Sequence, residues 1–104
     1  MEVERIKYER TGGFTGMRLA TDLKLGDLSD EYADRISELL DDLDFGQLPE
    51  HMIDKSGPDQ FTYVITVETT SWEHTVTTGD VSAPAKMQEL LQLLDRLAKT
   101  KKKQ

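Results

Sequence analysis

Two histidines, His51 and His74, are the starting point for any acid–base or metal chemistry in this 104-residue chain. His51 has Asp54 three residues further on, and that pair alone is too little to hold a metal ion or to run general acid–base catalysis. His74 alternates with Trp72 and Val76, which is the position of an imidazole packed on a sheet. The chain has no cysteine, so it offers no thiolate nucleophile, no disulfide framework and no Cys-based zinc site. Ser29, Ser37, Ser56, Ser71 and Ser82 all stand outside a nucleophile elbow, and no phosphate-cradling loop ends in Lys-Ser or Lys-Thr. The run Gly12-Gly13-Phe14-Thr15-Gly16 is rich in glycine but leads into a strand pattern, not into a helix N-terminus, which argues against a phosphate site. What it offers is one bulky apolar side chain, Phe14, among residues that let a backbone approach closely. That is the chemistry of recognition. The sequence reads as a binding protein and not an enzyme, with no catalytic residues, no metal and no cofactor.

Charge narrows the partners. Thirteen Lys and Arg stand against twenty Asp and Glu, a formal net charge of −7. Phosphate binding needs a basic surface, so nucleic acid is not an expected partner. The excess is local. Residues 22–59 carry twelve acids against Lys24, Arg35 and Lys55, a balance of −9, whereas the flanking segments are each +1. The expected origin is the solvated face of one helix, with steering towards a basic partner as the alternative. No run approaches the roughly 18 apolar residues of a membrane span. The charged start, Met1-Glu2-Val3-Glu4-Arg5, lacks the apolar run of a signal peptide. With the absence of cysteine, this predicts a cytoplasmic protein without a membrane partner.

Hydrophobic periodicity supplies the elements that must position the glycine-rich loop. Residues 3–10 read as a strand with Ile6 and Tyr8 on one face; Val3 falls out of the alternation. Residues 17–25 alternate cleanly, with Met17, Leu19, Thr21, Leu23 and Leu25 on one side, so the pair reads as a hairpin across the glycines. Residues 29–43 read as a helix. Ser29 is its N-cap, Leu28, Tyr32, Ile36, Leu39, Leu40 and Leu43 form its apolar stripe, and Gly46 is its stop. Asp34, Glu38, Asp41 and Asp42 fall on the opposite face and account for most of the central acidity. Residues 46–60 form a long connection punctuated by Pro49, Gly57 and Pro58, and long loops are often functional. Residues 60–69 and 72–78 read as two more strands, and residues 84–99 as a second helix opened by Pro84. The order ββαββα predicts an α+β fold: a four-stranded antiparallel sheet with both helices packed on one face. One domain spans residues 1–104, ordered from about residue 3 to 98, with a basic tail at 99–104 expected to fray.

Two clusters taken together resemble a known family. Gly12-Gly13-Phe14-Thr15-Gly16 follows an N-terminal strand and precedes an alternating one; Pro58-Asp59-Gln60-Phe61-Thr62-Tyr63-Val64-Ile65-Thr66-Val67 lies mid-chain, ahead of His74 and a Leu-rich last helix. In that order and spacing, from about Val3 to Leu97, the chain resembles the emfourin family, small proteinaceous inhibitors of thermolysin-like zinc metalloproteases such as protealysin. The resemblance implies a non-enzymatic protein without cofactor, whose partner is a thermolysin-like metalloprotease of the protealysin type; the free chain is expected to be a monomer. It implies inhibition by tight binding at the active-site cleft.

A protease cleft accepts extended backbone, so an inhibitor must present an exposed segment held rigidly on a scaffold. The expected contact residues are Gly12, Gly13, Phe14, Thr15, Gly16, Pro58 and Asp59. Thermolysin-like enzymes favour a bulky apolar side chain just after the cut bond, and Phe14 resembles such an anchor; the other reading folds it back over the sheet edge. Asp59 either caps the loop before its strand or aims a carboxylate at the protease zinc or a cationic subsite. Phe61 and Tyr63 share a face with Ile65 and Val67 and are expected in the core. The competing function is a non-catalytic interaction module, with a homodimer pairing through the Thr-rich sheet as its form.

Overall fold

A computed structural model describes residues 3–12, 18–52, 61–79 and 84–102, with side chains described as far as Lys99. Alternation decides which side of each strand is dry. In β1 (Val3–Gly12) Ile6 and Tyr8 are buried and Lys7 between them is exposed. In β2 (Leu19–Lys24) Leu19 and Leu23 are buried, whereas Ala20, Asp22 and Lys24 are exposed. β4 (Phe61–Thr69) buries Ile65 and Val67, and β5 (Glu73–Gly79) buries Val76 and Thr78. A one-residue slip in any of these strands would turn its apolar set to water, which pins the register. Val3 breaks the alternation for a visible reason: the register of β1 against β4 shifts between Val3 and Arg5, a bulge at the start of the strand.

The expected four antiparallel strands form, but the sheet is larger and mixed. Its order is β2-β1-β4-β5-β3, and the fifth member, β3 (His51–Met52), pairs parallel to β5 through His51↔Thr77 and Met52↔Thr78. A four-stranded, purely antiparallel sheet is therefore corrected to a five-stranded mixed one. The extra strand lies inside the stretch expected to be a long connection. Its cause is the anchoring of the chain just before it. Phe45 is fully buried in a short 3₁₀ helix, Phe45–Gln47. The Leu48 carbonyl lies 2.7 Å from His74 Nε2, and the Thr77 amide donates to the Glu50 carbonyl at 2.8 Å. These ties lay His51 and Met52 along the edge of β5, so the helix over Asp30–Leu43 carries the chain from one edge of the sheet to the other.

Both helices cover the dry face. α1 (Asp30–Leu43) buries Ile36, Leu39 and Leu40, and α2 (Ala85–Lys102) buries Met87, Leu90, Leu91, Leu94 and Ala98 against the sheet's Ile6, Tyr8, Ile65, Val67 and Val76. Each fully buried aliphatic side chain contributes about 1.5–3 kcal/mol before the entropy of ordering it is subtracted. Ser29 caps α1 as expected, its hydroxyl accepting from the Tyr32 amide at 3.4 Å. Asp34, Glu38, Asp41 and Asp42 all lie exposed, so the central acidity is a solvated helix face. Arg35 crosses from α1 to Glu89 on α2, 2.8 Å from its Nε, and also pairs with Glu38. The hydrogen bond to Glu89 is the main reason the Arg35 guanidinium holds its proton more tightly than usual. Lys86 reaches Asp42 at 3.4 Å. Such exposed pairs align the helices but add little stability. The stretch expected to fray from Lys99 continues as helix to Lys102, and Lys99 pairs with Asp95 one turn back at 3.1 Å.

The helix stop moves too. α1 ends at Asp44, which adopts the left-handed conformation (φ 51°, ψ 54°) and whose amide donates to the Leu40 and Asp41 carbonyls. An aspartate tolerates that region better than most residues. This frees Gly46 for packing: a Cβ built there would lie 3.1 Å from Cζ2 of Trp72. Overpacking costs about 1–3 kcal/mol, whereas Gly→Ala alone gains about 0.4–1 kcal/mol through the unfolded chain. Gly46→Ala is therefore expected to lower stability by about 1 kcal/mol in urea denaturation. In a Trp72→Leu background the same change should cost nothing or stabilise, because the indole is then gone.

Candidate functional site

Strand direction collects the loops at one end of the sheet. β1 ends at Gly12 and β4 begins at Phe61, and these two residues are partners in the ladder. β2 begins at Leu19, opposite Arg10. β5 ends at Gly79, opposite Thr62, and β3 ends at Met52 beside Thr78. The connections 13–18, 53–60 and 80–84 therefore all leave from the same edge. Directly opposed residues in an antiparallel pair lie about 4.5–5.5 Å apart between Cα atoms. The two sequence clusters, far apart in the chain, thus spring from adjacent roots.

Of the expected contact residues, Gly12 is described. It takes φ 99°, a left-handed value that only glycine adopts without strain, so the chain turns out of β1 at that point. Gly13, Phe14, Thr15, Gly16, Pro58 and Asp59 lie outside the described residues, as does Asp54, the proposed neighbour of His51. The histidines are separately accounted for. His51 is exposed on β3; His74 is half-buried, bonded to the Leu48 carbonyl and set edge-on to Phe45 with ring centroids 5.9 Å apart. Among the described residues no group of three or more His, Asp or Glu could hold a metal ion, and no helix is long and apolar enough to cross a membrane.

Beneath the loop roots the helix-facing side of the sheet changes character. Continuing the alternation of Ile6 and Tyr8 brings Arg10 under α2, where its Nη1 donates to Asp95 Oδ1 at 2.8 Å. The Tyr8 hydroxyl donates to the same oxygen at 2.9 Å, and Lys99 Nζ lies 3.1 Å from Oδ2. The Arg10 guanidinium carbon stands 4.5 Å from the centre of the Phe61 ring, within cation–π range. Tyr63 stacks on Tyr8 at 6.2 Å and tilts against Phe61 at 6.3 Å. Phe61 and Tyr63, expected as core, are half-buried and edge this cluster. A cleft of about 190 Å³ opens beside it, lined by Arg10, Tyr63, Gln88, Leu91, Gln92 and Asp95.

The sequence places Tyr8 beside Ile6 on one strand face, as found, but singles out neither Arg10 nor Asp95. The signal is present: Arg10 occupies the apolar side of its strand, and Asp95 falls four residues after Leu91 on the apolar stripe of α2. A charge at a dry position asks for a partner, and here each answers the other.

Burial, reinforced by the hydrogen bond to Asp95 and its charge, pushes the Tyr8 phenol well above the ordinary tyrosine range. The unfolded chain loses that proton near pH ~10, whereas the native protein keeps it. Stability carried by this group is therefore whole below about pH 10 and falls as pH rises beyond it. Absorbance titration of phenolate is expected to show one tyrosine that ionises only on unfolding, and Tyr8→Phe should abolish that late phase. The same variant should lose about 2 kcal/mol at neutral pH, the worth of a hydrogen bond to a charged acceptor.

No functionally curated protein matches the chain. Among solved structures, the chain is similar to emfourin (M4in) from Serratia proteamaculans, described as an M4 family peptidase inhibitor: 21% identity, a TM-score of 0.47, and 86% of each chain covered. The Emfourin family matches residues 8–95, a span that runs from Tyr8 to Asp95 and takes in both loops, α1 and the first part of α2, and the chain belongs to that family.

Proposed function

We propose that this protein inhibits a thermolysin-like zinc metalloprotease by seating the segments around 13–16 and 58–59 in its active-site cleft. The observation that carries the reading is family membership over residues 8–95. The shared root of the two segments, Gly12 against Phe61, supports the geometry, since a cleft that grips extended chain is filled best by neighbouring loops on a rigid sheet. Phe14 is the apolar anchor, the flanking glycines allow close backbone approach, and Asp59 sits in the adjoining segment. The protein acts by binding and carries no catalytic step of its own. Its target belongs to the M4 class, protealysin type, and the free inhibitor is a monomer. The −7 charge resides mainly on the solvated face of α1 and serves solubility and steering.

Purified protein added in micromolar excess to thermolysin-class proteases is expected to abolish peptide hydrolysis by at least one of them. Absence of inhibition across several such enzymes contradicts the reading. Phe14→Ala should leave the melting temperature unchanged and raise the inhibition constant about thirtyfold, the equivalent of an anchor worth ~2 kcal/mol. Unchanged inhibition by that variant would move the principal contact to residues 54–60.

A further inference from the structure

We propose that Arg10 is a positioning residue for inhibition: it fixes the roots of both binding segments by joining β1, β4 and α2 in one clamp. The inference rests on the inhibitor reading above and deepens it. Arg10 stands two residues before Gly12, where the first segment leaves the sheet, and its guanidinium lies over Phe61, where the second segment returns. One nitrogen of the same group is bonded to Asp95 on α2, and that carboxylate is itself held by Tyr8 and Lys99. The plane of Arg10 therefore has little freedom to turn, and neither does the ring beneath it.

A second feature sets this apart from ordinary stabilisation. Among the described residues Arg10 Nε is buried without a hydrogen-bond partner, as are the Thr21 and Thr78 hydroxyls. An unsatisfied buried donor is costly. Closing this end of the core with an apolar side chain would avoid the cost. What only arginine supplies is a flat cation that stacks on an aromatic ring while donating sideways to a carboxylate. Lysine keeps the charge but loses the plane and the orphan donor together. Arg10→Lys is thus the variant that separates positioning from folding. Rigid roots matter because an inhibitor loop that must be ordered on binding gives up affinity for every side chain immobilised.

The test uses the full chain. Arg10→Lys should melt within a few degrees of wild type. Hydrogen exchange should rise about tenfold or more at residues 11–12 and 61–62 while Ile6 and Lys7, mid-strand, stay protected. The inhibition constant should rise about tenfold, and much less than that when Phe14→Ala is already present, since both act through the same loop. Phe61→Leu, which removes the ring under the guanidinium but keeps an apolar side chain, serves as the second variant if Arg10→Lys does not fold, with the same loosening of the roots expected. Unchanged exchange at the roots, or full-strength inhibition by a variant whose roots have loosened, overturns the clamp. Wild-type protein that inhibits no thermolysin-class enzyme overturns the inhibitor reading instead, so the two failures are told apart.

Discussion

The ladder between β1 and β4 holds together parts of the chain that nothing local would join. It runs from Val3↔Thr69 to Gly12↔Phe61, and its last rung brings the glycine-rich segment beside the one that ends in Pro58-Asp59-Gln60. The pairing is non-local, so its closure entropy must be met by burial elsewhere. Ile6 and Tyr8 against Ile65 and Val67, under the Leu-rich stripes of α1 and α2, supply that burial. Without disulfides, the position of the loop roots depends on this packing and on the bonds that Arg10 makes across it.

The two ends of the sheet are finished differently. At the end of the β4–β5 turn, Trp72 lies against Gly46, and Thr69 holds the turn through hydrogen bonds to the Ser71 and Trp72 amides at 3.2 and 3.0 Å. Here a ring packs on a glycine, and Asp44, Thr69 and Ser71 line an adjoining cleft. At the loop end the helix-facing side is closed by Tyr8, Arg10, Phe61, Tyr63 and Asp95, a set of rings and charges with directional bonds. Directional contacts hold orientation, whereas apolar packing mainly holds volume. The proposed binding segments leave from the end where an ion pair joins β1 to α2.

Much of this was legible in the sequence where periodicity speaks. The four main strands, the two helices, the Ser29 cap and the exposed acidic face of α1 follow from alternation, apolar stripes and capping chemistry. The irregular start of β1 showed as the misplaced Val3. What escaped lacks a period. β3 is two residues long and exists because Phe45, Leu48 and Glu50 are tied to their surroundings, a tertiary cause invisible to local pattern. The stop of α1 fell at Asp44 and not Gly46 because Asp44 itself takes the left-handed conformation. The Arg10–Asp95 pair was hidden because a charged residue at the end of a strand or helix stripe reads as the edge of the pattern, and only the structure brings the two partners together. For the candidate site, Gly12 and the roots are described, and the neighbourhood of the two clusters is a consequence of strand order that the sequence did not contain.

The most direct test of the account is to titrate isotope-labelled protein with an inactive thermolysin-class protease and map the amide signals that move. The account predicts changes concentrated at the loop end, in residues 12–18, Met52 to Thr62 and Gly79 to Pro84, with Gly46, Trp72 and the acidic face of α1 undisturbed. Changes centred on the outer sheet face, on α1 or around Trp72 would contradict it.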